Sequence, residues 1–187
     1  AYYGFRRFIL CTGHKSSYIA DYYKKRNDGL TFILSEETSP LGTAGALANA
    51  RHLFESNLIL VLNGDSYCPT NLLHLLKFHL LKKAVTTIAL SDIEDPQDFG
   101  VITLNQQEGI TGFNEKTNFS GRSVINAGIY VFNSDTIDAI PTGQPMSLET
   151  ELFPNLIKQG NVYGFASHER LIDIGTPERL KEAKKLL

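Results

Sequence analysis

The sequence predicts an α/β fold. Two observations support this class: short apolar runs alternate with helical patterns through the first half of the chain, and a hairpin pattern follows at residues 100–114. The hydrophobic content of 42% argues against disorder. Alternating strands and helices are typical of parallel βαβ units, and a hairpin adds antiparallel strands to them. A chain of 187 residues is long enough for one domain with its own core.

In the first half, apolar runs predict four strands, and helical spacing of apolar residues predicts three helices between them. The strands are expected at residues 5–11, 30–34, 58–62 and 85–90, and the helices at 16–26, 43–54 and 71–83. Ser16 or Ser17 is the expected N-cap of the first helix. The unbroken apolar run Leu58–Leu62 predicts a buried, parallel strand.

The second half has a different pattern. A hairpin is expected from residues 100–104 and 110–114, and further strands from 125–132 and 162–166. Residues 147–159 predict a helix that is kinked or broken near Pro154. The last helix is expected to begin at Thr176-Pro177-Glu178, with threonine as N-cap and proline as the first helical residue.

Charge and cysteine content exclude several classes of protein. The net charge is −2 and no basic block is present, so neither a nucleic acid nor a membrane surface is an expected partner. The two cysteines, Cys11 and Cys68, have no metal-binding spacing, and reduced thiols in a cytoplasmic protein are expected. No apolar run reaches the length needed to span a bilayer.

Two aspartates lie next to predicted elements: Asp65 follows a strand, and Asp173 precedes a helix. Asp65 comes directly after Leu62-Asn63-Gly64, where ligands of open α/β sheets bind. Asp173 lies between apolar neighbours, just ahead of the last helix. Each aspartate is either a cation ligand or a local cap of turn or helix. Together they could supply the one or two carboxylates that Mg²⁺ usually takes.

A small-residue loop lies between the second predicted strand and the next helix. Gly42 and Gly45 allow close backbone approach to a flat ligand, and Thr43 places a hydroxyl at a helix N-terminus. Such a loop either binds a phosphate or a base, or is a tight turn that packs the helix on the sheet.

Two further polar positions are candidates. Lys116, next to Glu115, either binds a phosphate or belongs to a solvated surface pair. Asn126 lies in Asn126-Ala127-Gly128, where a glycine inside a strand often marks close approach of a ligand or of backbone. Its amide either bonds a hydroxyl or caps the strand.

Six short motifs, in this order, resemble the sugar-1-phosphate nucleotidylyltransferase family. They are Pro40–Gly45, Leu62–Asp65, Phe99–Val101, Glu115-Lys116, Asn126–Tyr130 and Asp173–Pro177. Within the family, Ser147-Leu148-Glu149 and the closing motif look most like the guanylyltransferases that act on D-glycero-D-manno-heptose 1-phosphate or mannose 1-phosphate.

The resemblance implies a Rossmann-like three-layer α/β/α sandwich with a mixed, mostly parallel sheet. It implies transfer of a nucleoside monophosphate from a nucleoside triphosphate, with GTP favoured, to a sugar 1-phosphate, with release of pyrophosphate. The implied roles are nucleotide binding by Leu41, Gly42, Thr43, Gly45, Asn63 and Gly64; catalysis and Mg²⁺ binding by Asp65 and Asp173; sugar binding by Gly100, Glu115 and Asn126; and sugar-phosphate binding by the catalytic Lys116.

One family feature is not found in the 187 residues: the opening strand and its glycine-rich phosphate loop. We therefore expect residues 1–187 to be a nucleotidyltransferase domain without that part, and to lack normal turnover alone. A non-catalytic regulatory subunit of the same fold is the alternative. A metal-dependent glycosyltransferase is less favoured, because Asp65-Ser66-Tyr67 is not an Asp-x-Asp motif. A homo-oligomer is compatible with the sequence.

Overall fold

The computed structural model describes residues 1–94, 100–114, 121 and 123–186, with the backbone alone at residues 114 and 186. The strands are β1 (Arg7–Thr12), β2 (Thr31–Glu36), β3 (Leu58–Leu62), β4 (Ser66–Tyr67), β5 (Thr86–Ile93), β6 (Val101–Leu104), β7 (Ile110–Asn114), β8 (Ser123–Asn133), β9 (Val162–Ala166) and β10 (Ile172–Asp173). The α-helices are α1 (Ser16–Lys24), α2 (Gly42–Ala50), α3 (Leu72–Lys82), α4 (Ser134–Asp138), α5 (Phe153–Gln159) and α6 (Pro177–Leu186). A 3₁₀ turn covers Arg51–Leu53, and a π-helical turn covers Leu148–Leu152.

The chain folds into two compact units. The first comprises Ala1–Asn57 and Ser134–Leu152, and the second comprises Leu58–Asn133 and Phe153–Leu187. Each unit has its own pairing of strands and its own packed helices, and the two are described separately below.

The first unit is built on a parallel strand pair. β1 and β2 pair in register from Arg7↔Thr31 to Thr12↔Glu36, which confirms the expected βαβ arrangement. α2 buries small residues, among them Ala44 and Ala48, on the side that meets β1 and β2. Small side chains let a helix approach a sheet closely, so the alanine-rich sequence of α2 has a packing role.

The expected cap of α1 is wrong. The helix begins at Ser16, but the N-cap is Lys15, in the left-handed conformation with φ 57°, and no side chain caps the helix. The Ser16 hydroxyl instead donates to the carboxylate of Glu36 on β2. This serine is therefore used to tie α1 to the neighbouring strand.

The second unit contains a six-stranded mixed sheet. Its order is β7-β6-β8-β5-β9, and β3 also pairs with β8. β8 is antiparallel to β3, β5 and β6, whereas β9 is parallel to β5. Strands β3, β5, β6 and β9 thus share one direction, and β7 and β8 run the opposite way. The prediction of an α/β fold with a mixed sheet is confirmed. The expected mostly parallel pairing is not found in the described part of this sheet, where four of the five strand pairings are antiparallel, because β8 is reversed between its neighbours and β6 and β7 form a hairpin.

The expectation for β3 needs correction. Its bounds, Leu58–Leu62, are those predicted, but it pairs antiparallel with β8 and its residues are half-buried or exposed. Leu62 is 54% exposed. The pairing is antiparallel because β8, a long reversed strand from later in the chain, lies between β3 and β5. A local apolar pattern does not reveal such a partner.

The sheet of the second unit carries helices on both faces. Alternate residues of β8 point to opposite faces. On one face Ile129 packs with Leu75 of α3. On the other face Tyr130 and Phe132 pack against Phe153 of α5, with ring centroids 5.3 Å and 6.2 Å from that ring. The three-layer arrangement predicted for the fold is therefore present in this unit.

A buried histidine joins α3 to the sheet. The His79 side chain is 1% exposed; its Nδ1 lies 2.8 Å from Thr87 Oγ1, and its Nε2 lies 3.1 Å from Asn133 Oδ1. Because the Asn133 amide nitrogen donates to Ala84 O, its oxygen faces the ring, and we assign the proton to Nε2. Burial lowers the pKa of His79 below its usual value.

The break before α5 and the start of α6 lie where the proline residues of the sequence predict them. The π-helical turn gives way to α5 at Phe153, immediately before Pro154, as expected from a proline in a helical pattern. α6 begins at Pro177, and the Thr176 hydroxyl accepts the Arg179 N–H at 3.2 Å. Among the described residues, the structure contains no helix with the length and apolar character required to cross a bilayer.

Candidate functional site

Two short strands of the second unit bring the predicted aspartates together. β4, directly after Asp65, pairs antiparallel with β10, so that Asp173 lies opposite Ser66. The Ile174 N–H donates to Asp65 O at 2.8 Å, which extends this pairing to the aspartate itself. Residues more than 100 positions apart thus become neighbours, and both aspartates lie at one end of the β4–β10 ladder.

The side-chain carboxylates converge beside Gly175. The position that a Cβ would take on this glycine lies 3.1 Å from Asp173 Oδ1 and 3.8 Å from Asp65 Oδ2. The two oxygens therefore face a common point, which the glycine leaves without a side chain. Two carboxylates that face one point repel each other unless a positive charge lies near them.

Asp173 is held by two donors. The Gly175 N–H donates to Oδ1 at 2.6 Å, and Arg179 Nη1 lies 3.3 Å from Oδ2. Both side chains of this ion pair are partly buried, with 24% of Asp173 and 33% of Arg179 exposed. Each oxygen of Asp173 therefore has one partner, and each keeps a lone pair for a further ligand.

The donor set fits a hard divalent cation. In the described part of the chain, no group of three or more histidine, cysteine, aspartate or glutamate side chains converges on a metal site. Mg²⁺ is commonly bound by one or two carboxylates, with substrate phosphates and water as its other ligands. Asp65 and Asp173 match that pattern, and the space above Gly175 provides room for an ion between them.

Asp173 and Arg179 also line a cavity of about 690 Å³ in the second unit. Its described lining carries four carboxylates and two guanidinium groups, from Asp92, Glu94, Asp173, Glu182, Arg170 and Arg179. The lining is thus predominantly acidic. Asp65 lies outside that lining, so the cavity reaches the paired carboxylates from the side of Asp173.

The glycines of the small-residue loop contact their own chain. A Cβ on Gly42, whose φ is +69°, would lie 2.6 Å from Met146 O, and a Cβ on Gly45 would lie 2.8 Å from Gln144 O. The N–H groups of Ala44 and Gly45 donate to Met146 O at 2.9 Å and 3.2 Å. The close backbone approach expected from these glycines is therefore made by a neighbouring chain segment.

A polar network links this loop to the π-helical turn within the first unit. Thr43 Oγ1 accepts the Leu148 N–H at 2.8 Å and donates to Glu149 Oε2 at 3.0 Å. Ser147 Oγ lies 3.0 Å from the same carboxylate oxygen. Thr43 is exposed and Leu41 is buried, with its N–H donating to Glu37 Oε2. The role of Glu149 as the centre of this network was not predicted from the sequence.

Asn126 lies inside β8, not at its end. Its Oδ1 accepts the Gly128 N–H at 2.9 Å, and its Nδ2 donates to Tyr130 Oη at 2.8 Å. The register of β8 against β5 shifts at this point, and Gly128 has a φ of +72°. These bonds hold a β-bulge, so the glycine is needed for the backbone conformation itself.

The remaining predicted residues are placed as follows. Asn63 is half-buried, and its N–H donates to Gly128 O at 2.8 Å. Gly64 is exposed, with no atom within 4 Å of its would-be Cβ. Gly100 is half-buried, directly before β6. Glu115 and Lys116 lie outside the described residues.

Comparison with known sequences gives one family. The profile of the family described as Nucleotidyl transferase matches residues 1–187. The mannose-1-phosphate guanylyltransferase of Mycobacterium tuberculosis is 35% identical over 94% of this chain and 50% of its own length. The D-glycero-alpha-D-manno-heptose 1-phosphate guanylyltransferase of Aneurinibacillus thermoaerophilus is 30% identical over 98% of this chain and 79% of its own. The chain thus spans about half the length of the mannose-1-phosphate enzymes it matches.

Solved structures agree with this result. HddC from Yersinia pseudotuberculosis has a TM-score of 0.87 and 28% identity, with 98% of this chain and 80% of HddC covered. The structure of HddC complexed with GMP-PN has a TM-score of 0.84 and 27% identity, over 96% of this chain and 78% of that one. The predicted Rossmann-like α/β fold is confirmed, and the chain belongs to the nucleotidyl transferase family.

Proposed function

We propose that the protein transfers a guanylyl group from GTP to a sugar 1-phosphate, giving a nucleotide-sugar and pyrophosphate. The relatives named above are guanylyltransferases for two sugar 1-phosphates, and one neighbour was solved with GMP-PN. These names favour a guanine nucleotide as donor and a manno-configured sugar phosphate as acceptor.

The convergence of Asp65 and Asp173 beside Gly175 is the observation that carries this proposal. Both substrates are polyanions, so the sugar phosphate must approach a negatively charged triphosphate. A divalent cation, Mg²⁺ in our proposal, would be held by these two carboxylates and would offset the charge at the α-phosphate. Metal-free enzymes of phosphate chemistry instead rely on clustered arginine or lysine side chains, and the acidic pair does not suit that alternative.

The remaining roles follow from the family motifs and stay proposals. Leu41, Gly42, Thr43, Gly45, Asn63 and Gly64 would contact the nucleotide; Gly100, Glu115 and Asn126 the sugar; and Lys116 the sugar phosphate. Because Gly42 and Gly45 already face Met146 and Gln144, we propose that they act through the backbone of the nucleotide loop and that the exposed Thr43 supplies its contacting side chain.

The chemistry requires no general base. The attacking oxygen belongs to a phosphate that is already ionised near neutral pH, so no proton has to be removed before it bonds to the α-phosphorus. As that bond forms, the bond to the β,γ-pyrophosphate breaks in line with it. The tasks of the protein are to align the two phosphates and offset their charge, and alignment alone can contribute several kcal/mol.

A pyrophosphate-release assay tests the proposal. Because residues 1–187 alone are expected to lack normal turnover, the full-length protein is purified and given GTP, with mannose 1-phosphate or the heptose 1-phosphate, and increasing Mg²⁺. We expect Mg²⁺-dependent release, and a loss of at least about a hundredfold in Asp65→Asn and in Asp173→Asn. Asp21→Asn, at an exposed position of α1, is the matched control and should behave as wild type. Full activity in both site variants would refute the assignment of the aspartates.

We also propose a cytoplasmic location, in which nucleotide donors are available. Cys11 and Cys68 are both free thiols, which fits a reducing compartment. The proposed partners are the nucleoside triphosphate and the sugar 1-phosphate, with a homo-oligomer as an open assembly state to be measured by light scattering.

A further inference from the structure

We infer that Arg179 is a counter-charge that weakens the cation site formed by Asp65 and Asp173. This inference rests on the proposed function, because it concerns the same two carboxylates. Arg179 Nη1 contacts Asp173 Oδ2, and we infer that it acts on the cation through this carboxylate, as a positioning residue.

The two carboxylate oxygens of Asp173 have different neighbours. Oδ1 is the Asp173 oxygen nearest to the point beside Gly175, at 3.1 Å; Asp65 Oδ2 lies 3.8 Å from the same point, and the Gly175 N–H donates to Oδ1 at 2.6 Å. Arg179 Nη1 lies 3.3 Å from the other oxygen, Oδ2. An ion held between Asp65 and Asp173 would bind on the Oδ1 side, so it would not displace the arginine. Cation and guanidinium would therefore share one carboxylate.

Sharing a carboxylate has a predictable electrostatic result. The positive charge of Arg179 partly neutralises the carboxylate of Asp173, and it repels a divalent ion held a few ångströms away. The orienting effect of the arginine is the smaller of the two, since Oδ1 is fixed by the backbone of Gly175. The exposed third of the Arg179 side chain moderates both effects through solvent screening.

The position of Arg179 is also well defined. Its backbone N–H is bonded by Thr176, the N-cap of α6, so the side chain leaves the first turn of a capped helix. α6 packs on β10, the strand that contains Asp173. In the cavity that both residues line, loss of Arg179 would leave Arg170 as the one guanidinium group of the described lining, against four carboxylates.

The advantage to a nucleotidyl transferase is release. If the cation left with pyrophosphate after each turnover, a site that bound the free ion tightly would slow product release. Without an ion, Arg179 offsets the repulsion between the two carboxylates. Arg179 thus lowers the affinity of the site for a cation and stabilises the two carboxylates when no metal is bound.

Mn²⁺ binding to the purified protein, followed by the electron paramagnetic resonance signal of free Mn²⁺, tests the inference without any turnover. We expect Arg179→Met to bind Mn²⁺ about fivefold to tenfold more tightly than wild type. Arg179→Lys keeps the charge and should stay close to wild type. Lys181→Met removes the same charge from an exposed position of the same helix and should change the affinity by less than about twofold.

Two further variants show where the ion binds. Asp65→Asn alone should abolish Mn²⁺ binding. In the double variant Asp65→Asn with Arg179→Met, the increase in Mn²⁺ affinity caused by Arg179→Met should also be lost. Thermal unfolding gives an independent readout: without metal the Tm of Arg179→Met should fall, and Mn²⁺ should raise it by more than in wild type.

The outcomes separate the inference from the function proposal. Weaker or unchanged Mn²⁺ binding in Arg179→Met, with binding still lost in Asp65→Asn, would overturn the role of Arg179 and leave the cation site in place. Binding that survives Asp65→Asn would overturn the cation site and the inference with it. A purely structural role of Arg179 predicts weaker binding in Arg179→Met, opposite in sign to our expectation.

Discussion

Gly175→Ala tests the geometry of the paired carboxylates without changing any charge. The methyl group would lie 3.1 Å from Asp173 Oδ1 and 3.8 Å from Asp65 Oδ2. The first contact is closer than an ordinary van der Waals contact, which begins near 3.4 Å, so Oδ1 must shift by a few tenths of an ångström. That oxygen is held by the Gly175 N–H at 2.6 Å, so the shift also disturbs this hydrogen bond.

The expected effect falls on the site more than on the fold. The backbone of Gly175 is outside the left-handed region, so alanine is compatible with its conformation. We expect the free energy of unfolding to change by no more than about 1 kcal/mol. We expect kcat/KM for pyrophosphate release to fall about tenfold to a hundredfold, because the methyl group takes space beside the ion and displaces one of its ligands.

Pyrophosphate release across a Mg²⁺ series, combined with thermal unfolding, measures both quantities. Gly64→Ala is the control in thermal unfolding alone, since no atom lies within 4 Å of its new methyl group and its backbone is equally permissive. Asp21→Asn, at an exposed position of α1, is the control in the kinetic assay. If Gly175→Ala keeps wild-type kcat/KM at limiting Mg²⁺, the two carboxylates do not act around the point beside that glycine.

Two predictions concern stability. Gly42→Ala should lower the free energy of unfolding by at least about 2 kcal/mol, because its φ is +69° and the new methyl group would lie 2.6 Å from Met146 O. Gly143→Ala is the control, since its φ is +72° but no atom lies within 4 Å of the new methyl group. In the same urea titration its free energy of unfolding should fall by only about 1 kcal/mol. Equal losses would argue against the close backbone approach. Because the pKa of His79 is lowered in the folded protein, the unfolded chain binds a proton more readily than the folded one. The contribution of neutral His79 to the free energy of unfolding is therefore complete above the ordinary pKa near 6.5, and it is lost as the pH falls below that value. Urea unfolding at pH 7.5 and 5.5 should show a smaller pH dependence in His79→Gln than in wild type; an unchanged dependence would refute this.

Sequence patterns were sufficient where the determining interactions are local. The apolar run Leu58–Leu62 and the strand Val162–Ala166 have the predicted bounds, and Thr176 caps α6 as its hydroxyl and the following Pro177 suggested. These features depend on neighbours within four residues, which the sequence shows directly.

Other features depend on partners far away in the chain. β4 and β10 are two residues each, and they exist because Ser66 and Asp173 pair across more than 100 positions. No periodicity can indicate strands of that length. The sequence therefore identified the two aspartates as candidates but could not show that one short ladder brings their carboxylates together.

The glycine loop shows a third case. Gly42 and Gly45 predicted a close approach to a flat ligand or a tight turn, and the sequence did not show that a distant segment of the chain lies against them. The structure shows the main chain of Met146 and Gln144 at both positions. Glu149, which joins Thr43 to Ser147, was part of a family motif, but a single glutamate carries no pattern that reveals such a network.

Asp65 and Asp173 are proposed to hold one divalent cation. An anomalous difference map from crystals of the protein grown with GTP and Mn²⁺ tests it most directly. We predict one Mn²⁺ peak within coordinating distance of both carboxylates, next to Gly175 and on the Oδ1 side of Asp173. A Mn²⁺ peak that contacts the nucleotide phosphates but neither aspartate would contradict the account.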